Sequence, residues 1–254
     1  MWSRRLSFGA LFVALTSMAA CASAGKSELS GRPDGGLHPT GDAGGSDVDA
    51  ALGHDAAGPP VDASQGPGPH TLTAATSPTD DGSAIACSAA DALGVTLYTD
   101  QNSYYRVFPL ADYSIGNAFH VTNVDFTIED VQAGPVALTV KVGTYAGTPG
   151  ATLTKSNIQM TGTASHSAAT GDTTASVPVT ADVAAGGVVV VEIDAPSGQT
   201  GTKFFYMGSS SGGESEPSYI SSTATDCGAT TPTNVTTAAG APTDWLISVT
   251  GNAD

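Results

Sequence analysis

Gly208-Ser209-Ser210-Ser211-Gly212 has the spacing at which a serine hydrolase places its nucleophile, so Ser210 is the first residue with a chemistry to consider. That chemistry needs a strand, a sharp elbow and then a helix that aims the hydroxyl at an oxyanion hole. The residues that follow, Gly213-Glu214-Ser215-Glu216-Pro217, read as loop, and in a run so rich in Ser and Gly the pattern arises by chance. No catalytic role is assigned to Ser210.

Glu192-Ile193-Asp194 puts two carboxylates on one face of a strand, in the manner of the Glu-x-Asp-x-x-Glu signature of jelly-roll glycosidases. Glycoside hydrolysis needs a second carboxyl group as acid across the scissile bond. Ser197 stands where that Glu belongs, inside a turn, so the pair reads as a solvated strand end. A hydrolase drawing its carboxylates from Asp125, Glu129, Glu192 or Asp194 remains the enzymatic alternative to an expectation of no catalysis. Asp125, Thr127 and Glu129 form a second acidic row, and with Asp100 and Asn102 they are the oxygen donors from which a Ca²⁺ site could be assembled. No Asp-x-Asp-x-Asp run announces such a site, and no Gly-rich loop precedes a helix to hold a nucleotide, so no cofactor is expected.

Aromatic rings pack against sugar faces, which makes Tyr104, Tyr105, Tyr113, Tyr206, Tyr219 and Trp245 candidates for a carbohydrate-stacking surface. Tyr104, Tyr105, Tyr219 and Trp245 are the four assigned to possible ligand binding. Tyr104 and Tyr105 are neighbours on one strand, so one must face inward and the other outward.

The elements that position these residues follow from composition. The chain has 254 residues, a formal charge of −16 and 8 Lys plus Arg, which excludes a nucleic-acid binder because phosphate neutralisation needs a basic surface. Arg4 and Arg5, an apolar Leu6 to Leu15 and small residues thereafter read as an export signal, residues 1–20. Ser17-Met18-Ala19-Ala20-Cys21 resembles a bacterial lipobox, while Ala22-Ser23-Ala24 would suit an ordinary signal peptidase. The lipobox is adopted, making Cys21 an acylated N-terminus anchored in a lipid bilayer, and Ala22 after it suits outer-membrane sorting.

Residues 21–83 then form a tether. Between 22 and 83, 12 Gly and 7 Pro occur without one aromatic, a composition that cannot bury enough apolar surface to offset its ordering entropy. Residues 84–254 carry 13 of the 16 aromatics and are the folded domain. Period-two alternation recurs there without a sustained helical period, so the fold is all-β. Strands are expected at Ser103–Leu110, Phe119–Glu129, Val136–Tyr145, Ala151–Ala164, Thr173–Val179, Gly187–Ile193, Lys203–Gly208, Ser218–Ser222 and Trp245–Gly251. The Val-rich run at 188–193 reads as a central strand covered on both faces. A two-sheet antiparallel sandwich, jelly-roll-like, accommodates this set.

With Cys21 acylated, Cys87 and Cys227 remain, one near each end of the domain in an oxidising compartment. They are expected to pair, the alternative being two buried thiols.

Asn102-Ser103-Tyr104-Tyr105-Arg106-Val107-Phe108, Val124 to Glu129, Val188 to Ile193, Phe204 to Ser209, Pro217 to Ile220, Asp226-Cys227-Gly228 and Trp245 to Val249 occur in that order. With them the region from about 95 to 250 resembles a β-sandwich domain that recurs in secreted and cell-surface proteins of bacteria. The resemblance implies an extracellular accessory or display module and brings no catalytic residues. The expected protein is an outer-membrane lipoprotein facing periplasm or surface, whose sandwich binds a glycan or an envelope protein. A purely structural envelope role is the third possibility.

Overall fold

A computed structural model describes residues 66–224 and 227–254, together with the backbone of residues 2–4. Cys21 and most of the expected signal and tether lie outside the described residues. Among the described residues no helix is long and apolar enough to cross a membrane.

Two antiparallel sheets face each other. In chain order the strands begin with β1 (Trp2–Arg4), β2 (Gly68–Thr73), β3 (Ile85–Ala90), β4 (Thr96–Thr99), β5 (Asn102–Pro109), β6 (Phe119–Gln132), β7 (Val136–Tyr145) and β8 (Ile158–Ala168). They continue with β9 (Thr174–Val183), β10 (Val188–Ala195), β11 (Phe204–Met207), β12 (Ser209–Ser210), β13 (Ser218–Ser221) and β14 (Thr233–Asn234). A short helix, α1 (Val235–Ala239), precedes β15 (Asp244–Trp245) and β16 (Ile247–Ala253).

The first sheet has the order β14-β13-β5-β10-β7-β8. The second runs β11-β6-β16-β2, with β9 also paired to β6. Thr127 N bonds Leu246 O while the next amide, Ile128 N, bonds Thr173 O, so β16 and β9 lie on opposite edges of β6. From β5 onward the chain passes repeatedly from one sheet to the other, as in a jelly roll. Two small sheets, β1-β3-β4 and β12-β15, are attached.

Alternation accounts for the core. Val124, Phe126 and Ile128 of β6 and Val249 of β16 point inward against Leu138, Val140 and Val142 of β7 and Val189, Val191 and Ile193 of β10. The Val-rich β10 lies between β5 and β7 and is covered on both faces. Val190 on its outer face joins a second apolar cluster with Tyr105, Val107, Tyr145, Leu153 and Tyr219. At the closed edge β8 meets β9 so tightly that a Cβ on Gly162 would sit 2.2 Å from the Thr180 carbonyl. Only glycine permits that approach.

The expected strand at 136–145 is found with those bounds, and the expected Cys87–Cys227 disulfide is present, its Cα atoms 5.9 Å apart. Most other expected bounds shift by one to four residues, β3 and β4 are additional to the expected set, and three differences are larger. Gly68–Thr73, read as tether, is an edge strand paired along its length with β16, so the folded domain begins near residue 66 rather than 84. Pro69 is tolerated there because an edge strand has amides with no ladder partner, and one inward residue, Leu72, holds it to the core. The strand expected from Ala151 begins only at Ile158, after a tight turn at Lys155–Asn157. The last expected strand is two, β15 and β16, pairing with β12 and β6 respectively.

Candidate functional site

On the outer face of the second sheet, strand register lines up side chains that sequence scatters. Thr73 on β2 is opposite Ser248 on β16, which is opposite Asp125 on β6, which is opposite Ser176 on β9. Each is an outward position of its strand, because the residues beside it, such as Leu72, Val124, Val177 and Val249, point into the core. At about 4.8 Å per strand the row is roughly 14 Å long. A parallel step along the strands adds Thr127 opposite Thr174 on one side, and Asn123 opposite Thr250 on the other.

This row floors a cavity of about 350 Å³, whose walls include Ala75, Pro78 and Leu246. That volume is within the range of small-ligand sites. The floor therefore offers hydroxyl donors and acceptors with one carboxylate at its centre, and the walls offer aliphatic surface. Asn123 steadies the carboxylate, donating from Nδ2 to Asp125 Oδ1 at 2.8 Å and to Ser176 Oγ at 3.0 Å.

The residues singled out from sequence are distributed differently. Tyr104, Tyr105, Tyr219 and Trp245 are all buried and form no stacking surface. Tyr104 does face inward, edge-on to Trp245 at 5.1 Å and to Phe205 at 5.9 Å. Tyr105 faces outward as alternation requires, yet that face is also covered, and Tyr219 donates its hydroxyl to the Gly150 carbonyl at 2.8 Å. Burial pushes the Tyr105 hydroxyl up to about 12, with the nearby Glu192 charge adding to it.

The calcium candidates are not brought together. Asn102 is buried, receiving the Cys87 amide at 2.8 Å and donating to the Cys87 and Asp100 carbonyls, so it fastens the disulfide-bearing strand. Glu129 accepts the Ala84 amide at 3.0 Å, and Asp125 sits in the groove. Among the described residues no group of three or more His, Cys, Asp or Glu is arranged to hold a metal ion. Glu192 is buried rather than solvated, and Lys141 Nζ contacts both Glu192 at 3.2 Å and Asp194 at 3.6 Å. Ser210 is buried in β12 with no helix after it, and its Oγ accepts the Gly212 amide.

A buried polar cluster was not legible from sequence. Arg106 follows Tyr105 on β5 and so faces the core, opposite Val191 and Ser218. It is wholly buried and pairs through Nη1 with Glu214 and Ser218. Ser218 donates from Oγ to Glu214 at 2.8 Å and receives the Trp245 amide at 2.8 Å, while Glu214 also accepts the Ser218 amide at 2.9 Å. Asp244 is buried alongside. Burial pushes both the Glu214 and Asp244 carboxyls up, against the opposing pull of Arg106.

Glu216, at the outer edge of this cluster, is raised to about 7, first by burial and then by its hydrogen bond to Asp112 and the Asp112 charge. A carboxyl raised in the folded state binds protons there that the unfolded chain does not hold. Its contribution is thus fully present below the usual glutamate range near 4.5 and is lost as pH rises through about 7. Glu216→Gln keeps the hydrogen bond to Asp112 and removes the charge. The variant is expected to exceed the parent in stability by about 1 kcal/mol at pH 8, a figure already reduced for solvent screening. The difference should vanish near pH 4.5, as followed by urea denaturation across that range, and a difference independent of pH would contradict the assignment.

Comparison with protein-family models, with curated proteins and with solved structures returns no match.

Proposed function

We infer that the protein is an exported lipoprotein, held at the outer membrane by acylated Cys21, which displays a non-catalytic β-sandwich that binds saccharide. The observation that carries the binding reading is the row Thr73, Ser248, Asp125 and Ser176 on the floor of a groove with aliphatic walls. Sugars present alternating hydroxyl edges and C–H faces, and a groove of this kind meets both. A strand spacing of about 4.8 Å is close to the length of one sugar ring, so the row suits an oligosaccharide of about three units lying across the strands. Of the carboxylates the hydrolase alternative would draw on, Asp125, Glu129, Glu192 and Asp194, only Asp125 lines the groove among the described residues, and glycoside hydrolysis needs two, which supports binding without catalysis.

A glycan array tests this. The full-length protein is expected to retain oligosaccharides, and Ser176→Trp, which fills the groove from an exposed position, is expected to weaken retention at least about tenfold with unchanged melting temperature. Retention unaffected by that substitution would place the site elsewhere. Intact-mass measurement tests the anchor: acyl chains on Cys21 are expected, and an unmodified N-terminus at Gly25 would refute it.

A further inference from the structure

Among the described residues Asp125 is the single charged side chain lining the groove, and it lies within the hydroxyl row. One of its oxygens is engaged by Asn123. Among the described residues no ion pair reaches it, and three basic side chains are committed elsewhere. Arg106 is buried against Glu214, Lys141 bridges Glu192 and Asp194, and Lys203 donates to the Pro135 carbonyl. A carboxylate without a cation, set among neutral hydroxyls in a concave site, is a receptor for a positively charged donor. The chain's formal charge of −16 favours the same choice, attracting cations and disfavouring uronic or sulfated chains.

We propose that the groove selects a saccharide bearing a free amine, a hexosamine oligomer, with the ammonium group on Asp125 and the ring hydroxyls on Thr73, Ser248 and Ser176. This rests on the reading of the groove as a saccharide site. The ammonium donates to the oxygen of Asp125 that Asn123 leaves free, while Asn123 fixes the carboxylate plane. N-acetylation removes the charge and one donor from the ligand and adds bulk, so the acetylated oligomer loses the contact.

The test is calorimetric titration of the full chain with glucosamine, N-acetylglucosamine and glucose oligomers of equal length, at mildly acidic pH where the sugar amine is protonated. The glucosamine oligomer is expected to bind about tenfold more tightly than the other two, the size of one charge-assisted hydrogen bond at a half-exposed site. Asp125→Asn, which can still accept from Asn123, is expected to erase that preference, the three oligomers then binding with equal affinity. Asp182→Asn, an equal change of charge at an exposed residue beside His120, is expected to leave the preference intact. Equal affinity for the three oligomers, or a preference that survives Asp125→Asn, overturns the amine assignment alone. No binding of any oligomer overturns the saccharide reading together with it.

Discussion

Arg106→Leu is expected to destabilise the protein by about 3–5 kcal/mol at neutral pH, an effect comparable to a large part of the stability of a typical domain. The guanidinium is wholly enclosed and, among the described residues, is the cation beside the half-buried Glu214 carboxyl and the buried Asp244. Leucine fills most of the volume but leaves both acids without a counter-charge in a medium of low polarity. Burial already raises both carboxyls, so in the variant they should titrate higher still and the penalty should shrink as pH falls.

Pairing the substitution with Glu214→Leu separates the lost ion pair from lost packing. The double variant should be less destabilised than the sum of the two single changes, since Arg106→Leu alone strands both acids whereas the double leaves only Asp244. Urea denaturation of the four proteins gives the coupling directly. A loss below about 1 kcal/mol for Arg106→Leu, or strict additivity, would show that the cluster is solvated and its charges independent.

Removing the Cys87–Cys227 bridge has the other large expected effect. The bond closes a loop of 140 residues, and the chain-entropy estimate for that length is about 5 kcal/mol, of which 2–5 kcal/mol is usually realised. The bridge also has a local task. It ties β3 to the segment after β13, where the Ser222 amide meets the Ala229 carbonyl, and Asn102 holds Cys87 from the other side. Cys87→Ala/Cys227→Ala should lower the urea midpoint, and reductant should lower the parent's midpoint by the same amount. A shift corresponding to less than about 1 kcal/mol, or two reactive thiols in the unreduced denatured protein, would contradict the pairing.

Much of the fold was legible because alternation is local. Leu138, Val140 and Val142 against Thr139 and Lys141 fix a half-buried strand within ten residues, and the expected and observed bounds of β7 agree. The Val run at 188–193 required burial on both faces, and β10 lies between two strands with apolar clusters above and below. β2 was missed because its membership depends on β16, nearly 180 residues away, supplying hydrogen bonds to a stretch whose Pro and Gly look like linker. The aromatic candidates failed for a related reason. Alternation sends Tyr105 outward, but whether outward means solvent depends on what covers the sheet, and Leu153 and Tyr145 arrive from another part of the chain.

By itself the sequence determined the all-β class and the alternating core, since each depends on residue type or short-range period. Only the tertiary structure decided where chemistry can occur. The groove exists because register places Thr73, Ser248, Asp125 and Ser176 side by side although they are far apart along the chain. Arg106 is a core residue because loop and strand from the C-terminal third bring Glu214 and Ser218 to it. Hydrophobic periodicity reports which face of a strand turns inward, but the strand's neighbours are set by backbone pairing over long separations, on which no local pattern bears.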